Sequence, residues 1–168
     1  MNQLEEGELD LLVLALPYEL RGFHSRIVGT DPFRLVVHQH LIERLPAPVS
    51  VDTLPTHSVF LLEQEHCLTG HALAACQMTA RDKINPFAAS SLYTLVQMVA
   101  AQEGATFLPQ MAICGGILSQ TGLQALPLAQ EGAAREIGLV WRPSTTRVAT
   151  FYAFGELVAE SLKQICQA

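Results

Sequence analysis

The chain has 168 residues, of which 49% are apolar and 15% are charged, so it can bury a core and is not of the disordered class. Its formal charge is −6 and its ten basic residues are scattered, which argues against a domain that grips nucleic-acid phosphates. No apolar run reaches about 18 residues and the N-terminus is acidic, so we expect neither a membrane span nor a secretory leader.

Short apolar runs alternate with helical patterns along the chain, which is typical of an α/β fold. The first run is almost unbroken, which predicts a buried parallel strand, and it begins so close to Met1 that a neighbouring strand is expected to be missing. The predicted strands are 9–16, 34–38, 58–62, 105–108 and 137–142. The predicted helices are 92–102, a turn opened by Pro109, and 148–165.

Cys67 and Cys76 lie in a further segment with helical periodicity. Nine residues of helix place the two side chains on opposite faces and roughly 13 Å apart along the axis, whereas a disulfide requires Cα atoms within about 7 Å. If the pair forms a disulfide, the helix must come apart, as a redox switch requires. The alternative is that both are small buried apolar side chains, the usual state of a cysteine thiol. Four irregularly spaced cysteines favour a reducing cytoplasm over a secreted disulfide framework.

Several other residues carry weaker patterns. His38 and His40 are predicted to share the solvent-facing side of a strand, and Cys114 is predicted to be packed. Cys67 and His71 are four residues apart and could share a helix face, but no third or fourth ligand accompanies them. We therefore predict no metal site and no cofactor.

Four segments in this order and spacing resemble the effector-binding domain of LysR-type transcriptional regulators. They are 7–11, 91–100, 104–109 and 137–143, followed by a long final helix. The pair His66–Cys67, with Cys76 nine residues later, is similar to the peroxide-sensing OxyR branch of that family.

The resemblance implies a periplasmic-binding-protein-like domain of two α/β lobes. Lobe II, with the redox cysteines, would cover 29–137, and lobe I would be split between 1–28 and 138–168. The opening strands of lobe I are expected to be missing, as is the helix-turn-helix domain. DNA would then be bound only through a domain absent from this chain.

The resemblance also implies roles for individual residues. Cys67 would be the peroxide-reactive thiol and Cys76 the thiol that resolves its sulfenic acid to a disulfide. His66 and Arg135 would favour the Cys67 thiolate, Arg135 from a position where the family has an arginine near the sulfur. Thr69 stands where the family often has an arginine, and the family's peroxide-holding hydroxyls would come from the missing segment.

The leading functional hypothesis is a cytoplasmic redox-sensing regulatory domain with hydrogen peroxide as its partner, assembled as a homodimer or homotetramer. The alternative is the domain of another LysR-type regulator that binds a small carboxylate between the lobes. Ser90 and Ser91 are N-cap candidates that in the family face this cleft. A thiol peroxidase is the third hypothesis, but the resemblance argues against an enzyme.

Overall fold

A computed structural model of the chain gives its fold. Side chains are described for most residues, and the backbone alone at positions 67, 75, 166 and 167. The described residues are 1–17, 20, 22–47, 49–63, 67–75, 81–128 and 133–167. Within these ranges no helix combines the length and the apolar character needed to span a bilayer.

Helices and strands are interspersed along the described residues, which confirms the predicted α/β class. The helices are α1 (Asn2–Glu5), α2 (Gln39–Arg44), α3 (Cys67–Ala75), α4 (Leu92–Ala101), α5 (Gln110–Cys114) and α6 (Val148–Gln167). The strands are β1 (Leu11–Leu16), β2 (His24–His38), β3 (Val59–Leu62), β4 (Ile84–Ala89), β5 (Ala105–Pro109), β6 (Leu123–Leu126) and β7 (Ala134–Trp141). Short 3-10 helices occupy Val51–Thr53 and Arg81–Lys83.

The chain divides into two compact units. Unit 1 comprises residues 1–31 and 135–168, and unit 2 comprises residues 32–134. The chain therefore leaves unit 1 within the long strand β2 and returns to it within β7. The first segment of unit 1 ends at residue 31 against the predicted 28, and the second begins at residue 135 against the predicted 138. That unit 1 is an incomplete lobe stays a prediction.

Strand β1 of unit 1 runs antiparallel to β7, from Leu11 opposite Trp141 to Leu16 opposite Glu136, and β2 lies on the other side of β7. The prediction of a buried parallel strand is therefore wrong. Leu16 is the one buried residue of the strand, and Val13 is 48% exposed. An unbroken apolar run does not specify the direction of its neighbour. Among the described residues β1 pairs only with β7, and part of the surface of β1 remains exposed to water.

Helix α6 packs against the strands of unit 1. Its Phe151 ring lies 6.0 Å from the Trp141 ring of β7, centroid to centroid, and both are buried. Near the other end of the helix, Leu162 lies against Gly29 of β2, where a Cβ atom would be only 2.8 Å from Leu162 Cδ1. Glycine at this position therefore permits the close approach of helix and strand.

The strands of unit 2 follow the order β6–β2–β5–β3–β4. Strand β2 is antiparallel to both β5 and β6, whereas β3 is parallel to both β4 and β5. Strand β4 contains Pro86 and stands at the end of the order, where a residue without an N–H donor is tolerated.

Both faces of this sheet are apolar and buried. Leu35 and Val37 of β2 belong to one core, while Val36 between them belongs to the other, together with Leu108 of β5 and Val96 of α4. This alternation is the two-residue period of a strand covered on both faces. Each fully buried Leu or Val contributes about 1.5–3 kcal/mol, so burial on both faces stabilises the sheet from which the helices of unit 2 follow.

His38 and His40 do not share a strand face, and that prediction is wrong. His38 is the last residue of β2 and the N-cap of α2, and His40 already lies in the helix. The Nδ1 atom of His38 accepts a hydrogen bond from the backbone N–H of His40 at 3.3 Å. A side-chain acceptor at an N-cap position ends the strand and starts the helix.

Candidate functional site

Helix α3 begins at Cys67, directly after a short connection from β3, as the sequence predicts. Its first turn is fixed by Thr69, whose buried hydroxyl donates a 2.9 Å hydrogen bond to the carbonyl oxygen of Leu62 at the end of β3. Ala72, one turn later, is 2% exposed and belongs to the core. The end of β3 therefore determines the position of the helix start and of the Cys67 backbone.

The position of Cys67 at the first residue of a nine-residue helix has an electrostatic consequence. The N-terminal end of a helix carries about half a positive charge, which favours the thiolate over the thiol of a cysteine there. The predicted neighbours of the reactive thiol, His66 and Cys76, lie outside the described residues, as does the side chain of Cys67. The roles predicted for these three residues stay predictions.

Arg135 lies at the start of β7 and binds a carboxylate. Its Nε and Nη2 atoms donate hydrogen bonds of 3.1 and 2.9 Å to Oδ2 of Asp31 on β2. The Asp31 side chain is completely buried and that of Arg135 is 17% exposed. Among the described residues, Arg135 therefore pairs with Asp31, a carboxylate that also belongs to unit 1. The predicted effect of Arg135 on the Cys67 thiolate stays a prediction.

Ser91 is the N-cap of α4, as predicted. Its hydroxyl oxygen accepts the backbone N–H of Thr94 at 3.1 Å and lies 2.8 Å from the Thr94 hydroxyl. Ser90 and Ser91 are both exposed. A role for either serine in binding a ligand stays a prediction.

A second group of chemically active side chains lies in unit 2. One nitrogen of His38, one nitrogen of His40 and a carboxylate oxygen of Glu103 all lie within 4.8 Å of one another. The Nδ1 atom of His40 is 3.1 Å from Oε1 of Glu103, and Nη2 of Arg44 is 3.2 Å from Oε2. The hydrogen bond with His40, aided by the charge of Arg44, holds the pKa of Glu103 below its usual value, so this carboxylate is ionised at neutral pH.

The sequence analysis missed the partners in both groups. Asp31 lies 104 residues from Arg135, and Glu103 lies 63 residues from His40, so no local pattern connects them. Asp31 lies outside the predicted strand 34–38, and the segment around it mixes polar and apolar residues, so no apolar pattern marked its carboxylate as buried.

Cys114 is exposed, so the prediction that it is packed is wrong. It is the last residue of the five-residue helix α5, which ends before Gly115, and a side chain in such a short final turn remains at the surface. Its Sγ atom accepts a hydrogen bond from Nε2 of Gln110 at 3.2 Å.

Residues 1–163 match the family model described as the LysR substrate binding domain. Among curated proteins, the transcriptional regulator EstR of Acinetobacter baylyi is 34% identical over 165 residues, covering 98% of this chain and 53% of the regulator. The dual regulator OxyR of Escherichia coli K12 is 32% identical over 145 residues, which cover 86% of this chain and 47% of that protein. The chain therefore spans about half the length of these curated relatives.

Among solved structures, the reduced regulatory domain of OxyR2 from Vibrio vulnificus is 52% identical, with a TM-score of 0.89 over 95% of this chain and 75% of that one. The reduced OxyR regulatory domain from Pseudomonas aeruginosa is 25% identical, with a TM-score of 0.75 over 97% of this chain and 76% of that one. These likenesses confirm the resemblance to the OxyR branch and the regulatory-domain fold that it implies. The chain belongs to the family of LysR substrate-binding domains.

Proposed function

We propose that this chain is the peroxide-sensing regulatory domain of an OxyR-like transcriptional regulator and acts in the cytoplasm. The observation that carries the proposal is the 52% identity to the OxyR2 regulatory domain, combined with Cys67 at the first residue of α3. The helix end favours a thiolate at this position, and the thiolate is the form that attacks peroxide.

The proposed chemistry has two steps. The Cys67 thiolate attacks one oxygen of hydrogen peroxide, the O–O bond breaks, and the departing hydroxide takes up a proton to become water, which leaves a sulfenic acid on Cys67. The Cys76 thiol then attacks this sulfur, an S–S bond forms, and a second water leaves. Peroxide is reduced by two electrons and the two thiols are oxidised to one disulfide.

The second step requires α3 to unwind. Cys67 is the first residue of the helix and its last residue is Ala75, so Cys76 follows immediately. Helical geometry across this segment gives an axial rise of roughly 13 Å, about twice the Cα separation that a disulfide allows. Unwinding α3 from its first residue through its second turn would break the hydrogen bond from Thr69 to Leu62 and withdraw Ala72 from the core. Loss of these two contacts is how oxidation of the cysteines would change the structure of unit 2.

Arg135 is proposed to assist the thiolate while Asp31 holds it in place. The hydrogen bonds to Asp31 use Nε and Nη2 and leave Nη1 for a second anion. Arg135→Ala should slow the oxidation of Cys67 and move the pH profile of thiol alkylation upward. An unchanged pH profile would contradict this role.

Thiol titration tests the proposal. One equivalent of peroxide should remove two thiols from the reduced chain, none from Cys67→Ser, and should leave a trappable sulfenic acid in Cys76→Ser. The matched control is Cys114→Ser, which changes an exposed cysteine outside α3 and should behave like the parent. Equal thiol loss in Cys67→Ser and the parent would refute the proposal. Continued turnover of peroxide with added reductant would instead favour a thiol peroxidase.

The second candidate is a domain that binds a small carboxylate. It is favoured by the 34% identity to EstR, which is named an HTH-type transcriptional regulator. In this case peroxide should remove no thiols at one equivalent, and a carboxylate ligand should raise the melting temperature. Ser90→Ala or Ser91→Ala should reduce that increase.

A homodimer or homotetramer is proposed as the working assembly. Exposed aromatic side chains on unit 2 support it: Phe87 is 71% exposed and Tyr93 is 68% exposed, beside an open cavity of about 480 Å³ between β4 and α4. Sedimentation of the reduced chain should give a species larger than the monomer. With a net charge of −6, the chain should give no specific gel shift with promoter DNA.

A further inference from the structure

His38, His40 and Glu103 present three of the side-chain groups that transition metals prefer, from three different parts of unit 2. His38 ends β2, His40 lies in the first turn of α2, and Glu103 lies between α4 and β5. Their ligand atoms lie within 4.8 Å of one another. None of the three takes part in the proposed thiol chemistry.

The backbone holds two of these residues together independently of their side chains. The N–H of His38 donates to the carbonyl oxygen of Gly104 at 3.0 Å, which places His38 beside Glu103. Glu103 adopts a φ of +49°, a left-handed conformation that costs a residue with a Cβ atom about 1–2 kcal/mol. The sheet of unit 2 therefore fixes the spacing of the pair, and the turn directs the Glu103 side chain towards the histidines.

The side-chain geometry suits a shared cation. Nδ1 of His38 accepts the N–H of His40 at 3.3 Å, which holds the His38 ring beside His40 at the start of α2. Nδ1 of His40 and Oε1 of Glu103 are 3.1 Å apart, close to the roughly 3.4 Å that separates two ligands of a tetrahedral zinc ion. Arg44 holds the other carboxylate oxygen, in the way that an outer partner orients a metal ligand.

We propose that His38, His40 and Glu103 bind a divalent first-row transition-metal ion such as Zn²⁺, with water in the remaining position. The ion takes the place of the hydrogen between His40 and Glu103. His40 and Glu103 are 48% and 40% exposed, so both side chains can move the short distance needed to contact it. Two imidazoles and one carboxylate favour this class of ion over Ca²⁺ or Mg²⁺, which prefer all-oxygen sites.

Cobalt titration of the reduced, untagged chain tests the site, because Co²⁺ reports its ligands in its absorption spectrum. Binding at His38, His40 and Glu103 should give only weak d–d bands, whereas a cysteine ligand would add an intense thiolate charge-transfer band. His40→Ala and Glu103→Gln should each weaken Co²⁺ binding at least tenfold. The control is His57→Ala, an exposed histidine whose Nδ1 instead contacts the carbonyl oxygen of Ile84, and it should bind like the parent.

Two further readouts separate a site from nonspecific histidine binding. Paramagnetic Co²⁺ should broaden the ring resonances of His38 and His40 before that of His57. Zn²⁺ should raise the melting temperature of the parent and of His57→Ala, but not that of Glu103→Gln. A thiolate band at the first equivalent, parent-like affinity in Glu103→Gln, or an equal loss in His57→Ala would each overturn the proposal.

Discussion

Replacing Arg135 with methionine should lower the free energy of unfolding by about 3–5 kcal/mol, the usual result of removing one partner from a buried ion pair. The Asp31 carboxylate is completely buried and would lose both hydrogen bonds from the guanidinium. Methionine retains most of the apolar stem of arginine, so the loss reports mainly on the charge interaction. At about 2–4 °C per kcal/mol for a chain of this size, the melting temperature should fall by about 6–20 °C.

Removing the other partner of the pair, Asp31, should lower the free energy of unfolding by less. In Asp31→Asn the charge that remains belongs to Arg135, which is 17% exposed and can still reach water, so we expect a loss of about 3 kcal/mol. The double variant Asp31→Asn with Arg135→Met removes both charges. The double variant should therefore be more stable than the sum of the single losses implies.

Urea unfolding of the reduced chain, followed by circular dichroism, measures these differences. Glu156→Gln is the control, because it removes one partner of the exposed pair between Glu156 and Arg26, and such pairs contribute at most about 1 kcal/mol. If Arg135→Met unfolds within about 1 kcal/mol of the parent, or if the double variant loses the full sum, the buried pair does not stabilise unit 1 as argued.

Three further substitutions probe the supports of the two units. Thr69→Val should cost about 1–3 kcal/mol in urea unfolding because it leaves the Leu62 carbonyl oxygen without the Thr69 hydroxyl, while Thr69→Ser should retain most of the stability. Ser91→Ala should lower the free energy of unfolding by about 1 kcal/mol through loss of the α4 cap, whereas Ser91→Asn should keep the cap and most of the stability. Equal stability of the two variants would contradict the capping role of Ser91. Gly29→Ala should lower the free energy of unfolding by about 1–3 kcal/mol, and with it the melting temperature, because the added Cβ atom clashes with Leu162. Adding Leu162→Val should recover part of this loss, and the absence of any recovery would show that the strain lies elsewhere.

Elements with a strong local pattern were predictable from the sequence. Helix α4 has a serine cap and apolar residues at helical spacing, and it lies within one residue of its predicted bounds. Strand β3 is similarly close to its prediction. Strands β4 and β6 were missed because they are sheet margins: β4 contains Pro86, and two of the four residues of β6 are exposed, so neither forms an apolar run.

The partners of the charged side chains were not predictable, because the fold brings together residues that are far apart in sequence. Arg135 was expected to need an anion, and Asp31 supplies one from a strand that lies 104 residues earlier. The histidine pair was assigned to a strand because alternation cannot reveal where a strand ends. The N-cap hydrogen bond of His38 ends it one residue before α2 begins.

The division of the chain also has a consequence for the order in which the protein can fold. Unit 2 is one continuous stretch, residues 32–134, whereas unit 1 joins the first 31 residues to those from 135 onwards. During synthesis, β1 emerges long before β7, its antiparallel partner, and Gly29 emerges long before Leu162, against which it packs. All of unit 2 is therefore synthesised before α6, and the strands of the first segment must wait for β7 and α6 before their apolar faces are covered.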